Sequence, residues 1–234
     1  MLIYIKLNLM KETKKIFKKS IVEILKNQGT DDVLSEAALP AYAHKNPVID
    51  FIFWKRLSLA TSFVKKNVKA NASILDFGCG TGVVSFDLAN KGYNLTAIDL
   101  DLNPLKLLKT KINYPATINF IEADFLAMNF ESQKFDAIIA LDVLEHIPLE
   151  ILPEYLKKFN LLLKPNGYII VSGPTENWLY KLGRKIAGND FTGHYHETTI
   201  GKIKNVFKLH FKVRLISKLI WPLTLFEIFY AKKD

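Results

Sequence analysis

Between Ser73 and Gly173 the chain alternates short apolar runs with stretches of helical spacing. The runs SILDF, NLTAID, TINFIEA, FDAIIAL and GYIIVSG are each bounded by polar or glycine-containing segments. Runs this short and this continuously apolar fit strands buried on both faces. Strands that alternate with helices predict a parallel sheet with helices on both sides, an α/β fold. Upstream, KETKKIFKKSIVEILKNQG places Ile16, Phe17, Ile21, Ile24 and Leu25 at helical spacing and stops at Gly29, and NPVIDFIFWKRLSLATSFVKKN reads as a second helix from Pro47. Downstream, FKVRLISKLI and LFEIFYAKK flank the turn-like WPLT and predict an antiparallel pair. The pattern divides the chain into an N-terminal helical extension, residues 1–69, and an α/β domain, residues 70–234, with an insertion near 174–209.

Composition adds little to this picture and charge adds more. With 234 residues and 49% apolar content, the chain is long enough for one large α/β domain with a sizeable core. The single cysteine, Cys79, forms no internal disulfide and points to a reducing, cytoplasmic compartment. The N-terminus is apolar and then basic, the reverse of a secretory signal. No run reaches the ~20 apolar residues of a membrane span; the nearest, LISKLIWPLTLFEIFYA, is interrupted by Lys218, Pro222 and Glu227. The net charge of +9 is unevenly placed. Residues 70–175 hold eight basic against twelve acidic side chains, a balance of −4, whereas residues 1–69 (thirteen against six) and 176–234 (eleven against five) carry +7 and +6. An acidic centre argues against nucleic acid as a partner, and basic flanks fit either an anionic surface or a solvated lysine-rich exterior.

The stretch ILDFGCGTGVVSFDLA is where chemistry enters. Glycines 78, 80 and 82 alternate between a strand and a helix. Since glycine in a regular element is disfavoured by roughly 0.5–1 kcal/mol relative to alanine, such a cluster marks a sharp turn or a backbone that touches a ligand. The next strand ends at Asp99, seventeen residues beyond Gly82, near the offset at which a carboxylate takes ribose hydroxyls. A nucleoside-bearing cofactor follows. A dinucleotide fingerprint would read G-x-G-x-x-G; here the third glycine comes one residue early and Asp76 stands two before the first. A carboxylate there repels a phosphate and suits a cationic amine.

On these residues the chain resembles the class I S-adenosylmethionine-dependent methyltransferases. The likeness runs from Ile74 to Pro174 through LDFGCGTG, the acidic end of the second strand, IEADF, FDAIIALDVLEHI and LLLKPNGYIIVSGP, in the family's order. It implies a Rossmann-like seven-stranded sheet with an antiparallel last strand, S-adenosylmethionine as cofactor and S-adenosylhomocysteine as product. It further implies that Gly78, Cys79, Gly80 and Gly82 form the loop around the cofactor's amino-acid end, that Asp76 helps hold that end, and that Asp99 binds the ribose. Asp124 would accept a hydrogen bond from the adenine amino group or cap its strand end, with Leu100 and Phe125 near the ring, and Leu141 and Asp142 would line the path to the methyl group. AYAHKNPVIDFIFWKR resembles a segment that closes over the cofactor, with Tyr42 either a contact there or an aromatic packed on the core.

Methyl transfer to an alcohol or phenol calls for a base or a metal, whereas a carboxylate acceptor needs neither. Two places offer candidates. Asp142, Glu145 and His146 follow the fourth strand; similar acidic-histidine tails in the ubiquinone-pathway O-methyltransferase branch bind a divalent cation, so the group reads as a Mg²⁺ site, as His146 acting as base, or as caps of a helix start. FTGHYHETT brings His194 and His196 to one side of an extended segment before a helix starting near Thr198, suiting a base and an orienting group, a substrate contact, two metal ligands without an evident third, or helix capping. Where methyltransferases of base or amide nitrogens carry an N-P-P-Y-like tetrapeptide, this chain reads ALDV. That departure favours an oxygen or carbon of a small-molecule or lipid-like acceptor. A non-catalytic cofactor-binding scaffold and a dinucleotide-dependent reductase are the competing classes. The basic segment from Lys11 to Lys26, the helix-like ENWLYKLGRKIAG and Trp221-Pro222-Leu223 together suggest peripheral association with an anionic membrane.

Overall fold

All five apolar runs and the terminal pair form strands of one sheet. The computed structural model describes residues 10–28, 42–130, 134–175, 197–219 and 224–233. Two helices come first, α1 (Lys11–Gln28) and α2 (Pro47–Asn67). Then follow β1 (Ser73–Phe77), α3 (Val83–Ala89), β2 (Asn94–Asp99), α4 (Asn103–Lys109), β3 (Ile118–Glu122), β4 (Phe135–Leu141), a 3₁₀ turn at Leu144–His146, α5 (Leu152–Leu162), β5 (Leu163–Pro174), α6 (Ile200–Lys208), β6 (Lys212–Leu219) and β7 (Phe226–Lys232). The strand order is β3-β2-β1-β4-β5-β7-β6. The first five strands are mutually parallel, and β7 runs antiparallel between β5 and β6.

The period of two along each strand sorts the core into two layers. Ile74, Leu95, Ala97, Ala137, Ile139, Ile170 and Ile228 face α1, α2, α3 and α4. Leu75, Phe77, Ile98, Ile138, Ala140, Ile169, Val171 and Phe229 face α5 and α6. Asn46 caps α2 by accepting from the amide of Val48 at 2.9 Å, with Pro47 in its first turn, as the pattern predicts. Helix α6 starts at Ile200 under a Thr199 cap, two residues from the predicted position.

The N-terminal helix is built into this core. Phe17 and Ile21 of α1 are fully buried, and the Phe17 ring meets Phe86 and Tyr114 edge-on at 5.4 and 6.0 Å. Buried Asp87 of α3 ties the three helices together, accepting from Thr13 of α1 at 2.9 Å and from Lys65 of α2 at 2.6 Å. Most of the apolar face of the Lys11–Lys26 segment is therefore occupied by the protein's own core, with Ile16 left exposed.

Chain order reverses at β1. The path moves outward through β2 and β3, then returns to lay β4 on the other side of β1. At such a switch point the loops leaving the carboxyl ends of neighbouring strands part, and a crevice opens. Register places Asp76 opposite Ala97 and Ile139, so Asp99 and Leu141, each two residues further on, lie on the same face of the sheet as Asp76.

Candidate active site

The loop after β1 is held by the end of β2. The amides of Gly78 and Cys79 both donate to the Ile98 carbonyl, at 2.9 and 3.2 Å, and the Gly80 amide donates to Asp99 Oδ2 at 2.7 Å. The three glycines serve different ends. Gly78 has φ +69°, and a Cβ there would lie 2.4 Å from Val143 Cγ2, so the chain after β4 packs directly on its backbone. Gly80 also has positive φ, yet nothing lies within 4 Å of where its Cβ would be, which leaves open space beside its backbone. Gly82, at φ +71°, turns the chain into α3. Cys79 is buried between them, and burial pushes its thiol far up, so it is no nucleophile.

Asp76 is buried, and its Oδ2 accepts from Ser85 Oγ at 2.6 Å. Burial raises its pKa to about 6; the Ser85 hydrogen bond opposes the shift and the charge of Asp99 adds to it. Burial also raises Asp99, against the amides of Gly80, Asp101 and Leu100 that lower it. Two carboxylates at adjacent strand ends, both resisting ionisation, make a site that gains from a cation. Asp124 is exposed beyond β3, with Oδ1 accepting from the Leu126 amide at 2.8 Å, which is the strand-end cap anticipated from sequence. Leu100 is 75% exposed beside Asp99. Phe125 points inward among Phe77, Tyr155 and Phe159, so its ring belongs to the core layer under α5.

One participant escapes a reading of the sequence. Arg56, on α2, is only 3% exposed, and its Nη2 lies 2.7 Å from Asp142 Oδ2. Its guanidinium stacks over the rings of Phe53 and Phe226 at 4.6 and 4.8 Å, and it also hydrogen-bonds the Tyr42 hydroxyl. Among the described residues its Nε has no hydrogen-bond partner. Tyr42 packs edge-on against Trp54, whose Nε1 donates to the Tyr42 carbonyl at 3.1 Å. Burial lifts the Tyr42 hydroxyl to about 12, with Arg56 lowering it and the charges of Asp142 and Asp76 raising it, so it stays protonated. Tyr42 thus packs among the aromatic side chains of α2 and bonds Arg56. Asp142 takes positive φ, and its Oδ1 accepts from Ser172 Oγ at 3.1 Å, fixing it at the end of β4 beside Leu141.

The residues after β4 do not gather as a cation site. Asp142 is bound to Arg56 and Ser172, Glu145 is turned inward at 1% exposure, and His146 is exposed. Among the described residues no cluster of three or more histidine, cysteine or acidic side chains is spaced to hold a metal ion. Among the described residues the donors after β4 do not make a Mg²⁺ site. The Glu145 carbonyl instead accepts the amides of Glu197 and Thr198, at 2.8 and 3.2 Å, joining this turn to the segment before α6. His194 and His196 lie outside the described residues, as do Trp178, Trp221, Pro222 and Leu223.

Comparison with known proteins places this arrangement. Residues 74–167, from the start of β1 to the first part of β5, match the family described as "Methyltransferase domain". Over those residues, less than half of the chain, the sequence is similar to a methyltransferase domain. Over 108 residues this chain is 34% identical to the ubiquinone biosynthesis O-methyltransferase of Rickettsia bellii, covering 44% of this chain and 42% of that protein. Over 113 residues it is 34% identical to phosphoethanolamine N-methyltransferase 1 of Zea mays, covering 47% and 22%. It thus spans less than half the length of the curated relatives it matches. Among solved structures, the magnesium protoporphyrin IX methyltransferase of Synechocystis PCC 6803 with bound S-adenosylhomocysteine superposes with a TM-score of 0.61 at 18% identity, over 96% of this chain and 99% of that one. The N-methyltransferase NodS of Bradyrhizobium japonicum gives 0.61 at 14%, over 92% and 98%. At such identities the likeness is one of fold, and it extends to the elements outside the matched segment.

Proposed function

We propose that this protein uses S-adenosylmethionine to methylate an oxygen or carbon of a small-molecule or lipid-like acceptor. The observation that carries the reading is the hydrogen bond from Gly80 to Asp99, which sets a backbone face open to a ligand beside two carboxylates, Asp76 and Asp99, at the switch point of the sheet. Asp99 takes the ribose, Gly78 to Gly82 the chain of the amino-acid end, Asp76 its ammonium group, and Asp124 the adenine amino group. Arg56 supplies a cation for the carboxylate of that end, with Nε to spare. S-adenosylmethionine, when bound, supplies a sulfonium methyl primed for in-line displacement.

The protein's task is then alignment and, for a hydroxyl acceptor, proton removal. Asp142, pinned by Arg56 and Ser172, fixes the wall after β4. His146, exposed after β4, is one candidate base, and His196, with His194 to orient it, is the other. The named activities of the curated relatives, an O- and an N-methyltransferase, support a small-molecule acceptor. The acidic core and the ALDV sequence disfavour nucleic acid.

Incubation with methyl-tritiated S-adenosylmethionine and an organic extract of cells tests this reading. Label is expected in the extracted small-molecule fraction, none in added DNA, and about 10²–10⁴-fold less in a His146→Ala or a His196→Ala variant that still binds the cofactor. Cofactor binding without transfer to any extract would favour the scaffold reading. Full activity of both variants would remove the histidine base.

A further inference from the structure

The loop that carries Asp124 is gathered around a lysine from the far side of the sheet. Helix α5 buries Leu152, Leu156, Phe159 and Leu162 against the sheet, and Tyr155 and Lys158 lie one turn apart on its flank. The Lys158 ammonium donates to three main-chain carbonyls, those of Phe125 at 2.5 Å, Leu126 at 2.9 Å and Met128 at 2.6 Å. All three of its donors are thereby used. It also lies over the faces of Phe125 and Phe130, at 5.0 and 5.3 Å, while Tyr155 stacks on Phe125 with an interplanar angle of 11°. The loop closes further on Asp124, whose Oδ1 takes the Leu126 amide and whose carbonyl takes the Met128 amide at 3.0 Å. The Ala123 amide donates to the Asp99 carbonyl at 3.0 Å, so the same turn is tied to the strand end that bears the ribose candidate.

We propose that Lys158 is a positioning residue that sets the nucleobase specificity of the site by holding the Asp124 turn in the conformation that accepts an adenine amino group. The inference rests on the cofactor reading above. An exposed carboxylate on an irregular turn discriminates between a donor and an acceptor on a base only if its backbone is held, because a loop free to rotate presents another group instead. Three carbonyls converging on one charge do the holding, and charge-assisted hydrogen bonds are roughly twice as strong as neutral ones. The bland alternative is that Lys158 only adds stability to the loop.

Calorimetric titration separates the two. Wild-type protein is titrated with S-adenosylhomocysteine and with its inosine analogue, in which a carbonyl replaces the amino group, and the ratio of the two dissociation constants is compared with that of Lys158→Met. The expected result is a fall of about tenfold in the preference for adenine, with the ratio unchanged further when Asp124→Asn is added, because Lys158 acts through Asp124. Should the methionine variant fail to fold, Lys158→Gln, which keeps two of the donors, is expected to lose part of the preference. A folded variant of either kind with the wild-type ratio overturns the proposal, even where its Tm has dropped. A wild-type protein that binds neither ligand overturns the cofactor reading itself, and this inference with it.

Discussion

In the proposed reading single residues carry the binding chemistry, and their charges give it a pH signature. Asp76, with a pKa raised to about 6 from 3.8, holds more proton folded than unfolded across that interval, so its burial weakens the unliganded protein progressively as pH rises through about 6. A ligand ammonium favours the ionised form. Affinity for S-adenosylhomocysteine is therefore expected to rise between about pH 5 and pH 7 with release of protons, and to rise less in Asp76→Asn; titrations in buffers of different ionisation enthalpy read both. A flat profile in the wild type would break the link between Asp76 and the cofactor. The glycines part in the same way. Positive φ disfavours alanine by about 1–2 kcal/mol, and Gly78, unlike Gly80, also lacks room, so Gly78→Ala is expected to lower Tm more, whereas Gly80→Ala chiefly weakens binding. Equal Tm losses would contradict these separate roles. The loop and Asp99 were legible in the sequence because strand length and offset determine them. Arg56 was not: in the helical pattern it reads as a solvent-facing charge beside Lys55, and its burial depends on Asp142, which only the fold brings near.

At the scale of elements, the helices before the sheet behave as part of its core. Phe17 is fully buried against α3, so Phe17→Ala is expected to destabilise the protein by about 3–5 kcal/mol, measured by denaturant unfolding. A change below 1 kcal/mol would mean that α1 sits loosely on the domain and moves as a lid. Periodicity showed every strand and the start of α2, since apolar runs and a proline at a helix start are local signals. The inward turn of Glu145 was hidden, because a glutamate at a helix start looks like a cap until the chain before α6 folds over it. Lys158 was hidden for the same reason as Arg56. A lysine at that spacing on an amphipathic helix reads as a surface charge, and its carbonyl partners lie about thirty residues away.

For the whole molecule, charge is the feature still without a role. Among the described residues no helix is long and apolar enough to cross a membrane, and most of the apolar face of α1 is already buried in the core. What α1 offers a membrane is therefore mainly charge, within flanks that carry +7 and +6 around an acidic centre. Binding to anionic vesicles is expected at low salt and is expected to vanish at high salt, since each lysine or arginine near the surface contributes only about 1 kcal/mol and screening shortens its reach. No sedimentation with anionic vesicles at low salt would remove the membrane from the reading. The central claim concerns the cofactor, and calorimetric titration of the wild type and Asp99→Asn with S-adenosylhomocysteine and with NADH tests it most directly. The expected result is saturable binding of S-adenosylhomocysteine at one site, weaker in Asp99→Asn by about 1–3 kcal/mol, roughly 5- to 150-fold in Kd, and none of NADH. Binding of NADH in its place, or a Kd for S-adenosylhomocysteine that Asp99→Asn leaves unchanged, would contradict it.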